Sequence, residues 1–177
     1  LLREPASSHE EQRLLIAHDA IELSRTLDFR GILNQGKIAA LPERQPRLNI
    51  SGVSVSVHPT NSITVAPLGK QDSRFGLVRP YFAKCQPLNT ETAALHGALL
   101  HWYAEEIFPT LGEAQPSLCF IIDVFAQNIV SAPKNFKQRR KLLGASCQEI
   151  ADRWPAIRKR LIEEEEVRLR QAFRRTK

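Results

Sequence analysis

The chain has 177 residues, 42% of them hydrophobic and 25% charged, and carries a formal net charge of +6. That length fits one domain, or one domain with a helical appendage, and those proportions are ordinary for a globular protein. No apolar run reaches the ~18 residues needed to cross a bilayer, which excludes a membrane span on length, and no membrane partner is expected.

The first five residues lack the apolar core of a signal peptide, and the absence of methionine is consistent with a trimmed start. Ser8 followed by Glu11 makes a capping box, and Leu14, Leu15, Ala17, Ile21 and Leu27 recur near helical spacing. The pattern predicts a helix over about 10–26. Gly31, Gly36, Pro42 and Pro46 then mark a long connection. Val53, Val55 and Val57 alternate with serines, His58-Pro59-Thr60-Asn61 supplies turn residues, and Ile63 and Val65 share a face. Those features predict a hairpin of the two runs 53–57 and 62–66.

The segment 75–125 is the centre of the expected fold. It reads strand (75–83), helix (90–108), strand (118–125), a crossover that places its two strands parallel in one sheet. Pro80 cannot donate to a ladder, which predicts an edge or a bulge in the first strand. Asn89 or Thr90 caps the helix, whose stripe is Leu95, Leu99, Trp102, Tyr103 and Ile107. The nearly unbroken apolar run of 118–125 predicts a strand covered on both faces. A short return strand follows at 129–131.

From Lys134 the pattern turns helical again. Phe136, Leu143, Cys147, Ile150 and Trp154 form a seam that must pack on something. Pro155 fits the first turn of a second, mostly polar helix running to about 175, with Glu164 facing Arg168 and Glu166 facing Arg170. The expected fold class is therefore α/β (or α+β): a small mixed sheet in αβββαβ order with two C-terminal helices. The expected division is a core of 1–133 and a basic helical region of 134–177, packed on the core through its first half.

The order of elements over about residues 10–125 resembles the PD-(D/E)xK restriction-endonuclease-like superfamily. That resemblance implies an Asp near the second strand and a Glu-x-Lys on the third, holding a divalent metal that activates water. Here Leu77-Val78-Arg79 stands where the tripeptide would be and Thr60-Asn61 where the Asp would be, and neither carries a carboxylate that Mg²⁺ could use. The resemblance thus implies a degenerate site with no cofactor. Mg²⁺ enters only if the carboxylates have migrated, with Asp72, Glu91 and Asp123 as the candidates. Gly76–Phe82, Lys84, Asp123–Phe125 and Ala132–Lys134 also resemble bacterial sequences, a likeness that implies no activity.

Asp123 interrupts an apolar run, and a buried carboxylate needs a partner. A structural bond to Arg79, Lys84 or Lys134 competes with a site role. His96 and His101 are five apart, on different helix faces, and cannot form an i,i+4 zinc pair. The three cysteines, Cys85, Cys119 and Cys147, lie far apart without a CxxC, which fits a reducing compartment and hence the cytoplasm.

The charge is unevenly placed. Residues 134–177 hold 14 Lys and Arg against 6 Asp and Glu, while the remaining 133 hold 11 against 13. Lys134, Lys137, Arg139, Arg140 and Lys141 cluster with no neighbouring acid in sequence, and at a helix start they oppose the macrodipole, which invites a phosphate. Arg158, Lys159 and Arg160 form a second group. The expected function is nucleic-acid binding through these residues. The alternative is a protein-interaction or oligomerising module built on the seam Phe136–Trp154, and the third reading is the metal-dependent nuclease.

Overall fold

The structure, a computed structural model, describes residues 8–67 and 73–175, with side chains over 10–67 and 73–168. Asp72 and the Ser8 side chain of the expected capping box lie outside the described residues. The fold is mixed α/β. Helix α1 (Ser8–Thr26) and the single turn α2 (Arg30–Leu33) precede strand β1 (Lys37–Ala40). Strands β2 (Leu48–Ile50) and β3 (Val53–Val55) follow, then β4 (Asn61–Val65) and β5 (Arg74–Tyr81). Helix α3 (Thr90–Ile107) leads through β6 (Glu113–Ala114) to β7 (Phe120–Asp123) and β8 (Asn128–Ser131), and α4 (Phe136–Arg175) ends the described chain.

The main sheet runs β1-β4-β5-β7-β8, with β6 pairing the start of β5. Strands β5 and β7 are parallel, with Val78 opposite Phe120 and Tyr81 opposite Asp123, as the crossover reading requires. Every residue of β7 is buried. Phe120 and Ile122 face one core with Ala20, Ile32, Ile63 and Val78. Ile121 and Cys119 face the other, with Phe75, Leu77, Leu100, Tyr103 and Cys147. The unbroken apolarity of this strand thus has its cause in a covered sheet of two faces.

The expected hairpin of 53–57 with 62–66 does not form. β3 turns back on β2, with Ile50 opposite Val53, while β4 pairs with β1 and β5. The deciding element is the two-residue loop Ser51-Gly52, with φ of 49° and 80°. Both positive angles make the turn whose twist matches two antiparallel strands, and Asn49 Oδ1 accepts the Gly52 N–H at 3.0 Å. β1 itself lies in the stretch expected to be a loop.

Pro80 was expected at an edge or bulge, yet β5 is central. Continuing the β4–β5 register past Asn61 and Val78 would set Pro59 against Pro80. Neither has an N–H, so the ladder ends at Thr60, whose N–H reaches Val78 O at 2.9 Å. The proline's missing donor is absorbed where the strand partner has already stopped.

Helix α3 crosses over one face of the sheet. Asn89 is its cap, with Oδ1 accepting the Thr92 N–H at 2.8 Å. Gly97 lets the helix sit close on the chain after β8, since a Cβ there would lie 2.8 Å from Ala132 Cα. On the other face α1 buries Ala20, with Leu23 and Leu27 beside it. Leu14, Leu15 and Ile21, expected on its packed side, are 54%, 60% and 56% exposed.

The two expected C-terminal helices are one. α4 runs 40 residues through Pro155 without a break, a length of about 60 Å. The apolar positions stay in helical phase on both sides of the proline, so the chain keeps one track. The ring itself is exposed.

Candidate interaction surface on the C-terminal helix

The basic cluster at the start of α4 is not unopposed, as its sequence neighbourhood suggested. Two carboxylates reach it from α3. Arg139 forks onto Glu91, with Nη1 2.6 Å from Oε1 and Nη2 3.3 Å from Oε2. The hydrogen bonds from Arg139 hold the Glu91 carboxyl below its usual range.

Arg140 goes deeper. It pairs with Glu105, and its other Nη donates to His101 Nδ1 at 2.6 Å. Its guanidinium also lies 5.0 Å and 5.6 Å from the ring centres of Phe136 and Trp102. Because an arginine only donates, His101 Nδ1 accepts, and Nε2 then donates to Ala114 O at 3.1 Å. His101 is 1% exposed, and burial above all holds its pKa below the ordinary value, with the Arg140 charge acting the same way. These residues pin α4 across α3, and the macrodipole penalty is offset inside the fold.

Three of the clustered cations remain outward. Lys134, Lys137 and Lys141 are exposed and have no carboxylate in salt-bridge reach among the described residues. Farther along, Lys159 is 4.0 Å from Glu163 and Arg160 is 3.7 Å from Glu164, both within the helix. Arg158 has no such partner among the described residues.

The other sequence candidates have partners of their own. Asp123 is 3% exposed, and its two oxygens accept the N–H groups of Leu88 at 2.7 Å and Ala126 at 3.1 Å. It bonds none of the expected cations: Lys84 pairs with Asp19 at 2.7 Å, and Arg79 meets His96 Nδ1 at 2.9 Å. Asp123 therefore fixes the turns after β7 and before α3, a structural role. No group of three His, Cys, Asp or Glu side chains is arranged to hold a metal among the described residues. Cys119 and Cys147 are buried, and burial pushes the Cys119 thiol up to about 12.

The feature the sequence only half disclosed is the continuation of the α4 seam. Cys147 is buried against α3 and the β2–β3 hairpin, with Phe136 and Leu143 half-buried. Ile150, Trp154 and Leu161 continue the same face at 52%, 52% and 49% exposure, with Ile157 between them. A hollow of about 460 Å³ separates Trp154 from the hairpin residues Gly52, Val53 and Ser54. A second, of about 430 Å³, lies on the opposite flank beside Ser146 and Arg153. The spacing of 4, 3 and 4 residues from 150 to 161 was available in the sequence, but the proline at 155 masked it.

A further apolar groove of about 680 Å³ lies on α1, between Ile16, Ala17, Ile21 and Phe82. No helix among the described residues is long and apolar enough to cross a membrane. Comparison of the chain with protein-family models, with characterised proteins and with solved structures gives no match.

Proposed function

We propose that the protein is a protein-interaction module, in which a rigid α/β core holds the second half of α4 out as a docking helix. The observation that carries this reading is the exposed row Ile150, Trp154 and Leu161, continuous with a seam that is covered up to Cys147. A contiguous apolar row left half exposed along a helix is the kind of surface that marks an interface, and tryptophan is among the residues enriched at interface centres. The core supplies position rather than chemistry: Glu91 and Asp123 are engaged by Arg139 and by backbone amides.

Photo-crosslinking in extracts of the source cell tests this reading. A benzoylphenylalanine introduced at position 154 or 157 is expected to give a discrete adduct. The same group at 141 or 148, on the outward side of the docked half, is expected to give none. Adducts at none of the four, or equally at all four, overturn the proposal.

A second reading retains nucleic acid as the ligand, favoured by the outward Lys134, Lys137 and Lys141. Three phosphate contacts predict duplex affinity falling roughly 40-fold from about 50 to 200 mM salt. Reversal of the three lysines to glutamate should abolish that dependence. Affinity that ignores both changes removes this reading.

A further inference from the structure

We infer that the free face of α4 is built for an acidic amphipathic helix of another protein, and is built against a second copy of this chain. The inference rests on the docking reading above and adds the chemistry of the occupant.

Ile150, Trp154, Ile157 and Leu161 fall on alternating spacings of four and three, the a and d positions of a short heptad seam. Residues that flank such a seam decide which helix can lie on it. Here the flanks are Arg153 and Arg160 on one edge and Ala151 and Arg158 on the other. Every charged flank between 150 and 161 is thus positive.

Two copies pairing antiparallel would stack Ile150 on Leu161 and Trp154 on Ile157, an apolar match. The same register sets Arg153 beside Arg160 of the other copy. Parallel pairing sets Arg153 beside Arg158. Like charges at those positions are destabilising and serve as a specificity device, so the flanks act against self-association.

An acidic helix meets the opposite situation. Arg158 has no carboxylate partner among the described residues, and Arg153 and Arg160 are held only by Glu149 and Glu164 of their own helix. Those pairs are more than half exposed and weak enough to exchange for an incoming carboxylate. Beyond Leu161 the run Glu163–Glu166 reverses the sign and turns an acidic partner away. The favourable stretch is 150–161, about three turns or 17 Å. Trp154 stands at its middle, with a hollow on either side to receive partner side chains.

The test uses the full chain and two labelled helical peptides of about three heptads, each with Leu and Ile at a and d. One carries Glu at every e and g position and the other carries Lys, so neither pairs with itself. Fluorescence anisotropy in about 0.1 M salt should show the acidic peptide binding at least tenfold tighter, with the margin shrinking in about 1 M salt. Ile157→Asp should abolish binding. The triple change Arg153→Glu, Arg158→Glu, Arg160→Glu should reverse the order of the two peptides while circular dichroism stays unchanged.

Equal binding of both peptides, or preference for the basic one, overturns the inference and leaves the docking reading standing. So does a dimer of the chain itself in sedimentation equilibrium that Ile157→Asp dissolves. Failure of both peptides to bind at any concentration overturns the inference, while the crosslinking pattern at 154 and 157 decides the docking reading by itself.

Discussion

The two halves of α4 carry the same apolar stripe and similar positive charge, yet they have different fates. In the first half, Cys147 is buried, Phe136 and Leu143 are half-buried, and Arg139 and Arg140 are bound by Glu91 and Glu105 of α3. In the second half, Ile150, Trp154 and Leu161 stay about half exposed, and among the described residues Arg153, Lys159 and Arg160 find acids only within their own helix. The apolar spacing of the helix is the same on both sides of the boundary. What changes is what lies opposite: α3 and the β2–β3 hairpin cover Cys147, whereas beside Trp154 the hairpin stands off across a hollow. An amphipathic pattern declares that a face is to be covered, and the surrounding fold decides by what. Leaving half of each large apolar side chain in water forgoes roughly 1 kcal/mol apiece, which a partner can recover.

Arg140→Ala should make the largest difference, because it breaks the docked half. His101 Nδ1 would lose its donor in a site with 1% exposure, and Glu105 its counter-charge. The expected loss is about 2–3 kcal/mol of unfolding free energy, measured by urea titration. A loss under about 0.5 kcal/mol would mean that the two halves are held alike. Pro155→Ala comes next and acts on the boundary. The proline removes one bond from the helical ladder, and alanine is favoured there by up to about 3 kcal/mol. Amide exchange should slow over residues 151–168 and stay unchanged over 136–147. Uniform slowing would show one cooperative helix in place of two regimes.

A smaller effect is expected from acid, through two histidines of α3, of which His101 meets Arg140 of α4 and His96 meets Arg79 of β5. Burial holds both His101 and His96 below the ordinary 6.5, so the folded chain prefers them neutral. Below that value the unfolded chain takes up protons that the folded chain refuses. The stability contribution is complete above about pH 6.5 and is lost as the pH falls through it. The lowered carboxyls of Asp19 and Glu91 start from 3.8 and 4.5, so they act in a more acidic window. Urea midpoints should fall between about pH 7.5 and 5, and His101→Gln should flatten the fall. An unchanged slope in that variant would remove His101 from the account.

These contrasts also show what the sequence could reveal. The crossover of β5, α3 and β7 was legible because apolar runs at strand and helix periods are local signals. The pairing of β3 is not decided by its own residues, although Ser51-Gly52 is a turn signal, because the serine–valine alternation fits a partner on either side. β1, of four residues and mostly exposed, carries no period to detect. The cluster at 134–141 appeared unopposed because Glu91 and Glu105 are far away in sequence and arrive only when α3 folds beside it. The seam was visible as far as Trp154, and there the proline suggested a stop that helical phase overrode.

The smallest expected change in stability is also the sharpest separation of the two halves. Trp154→Ala and Leu161→Ala remove side chains that are 52% and 49% exposed. Half of each is already in water, and neither leaves a buried polar group behind. Each should shift the unfolding free energy by under about 1 kcal/mol, and the double variant by close to the sum, since no buried neighbour couples them. Binding of an acidic helical peptide should nonetheless be lost, because the anchor at the centre of the seam is gone. If the pair instead destabilises the fold by the several kcal/mol typical of core truncation, the second half of α4 is packed like the first, and its exposed face has no need of a partner.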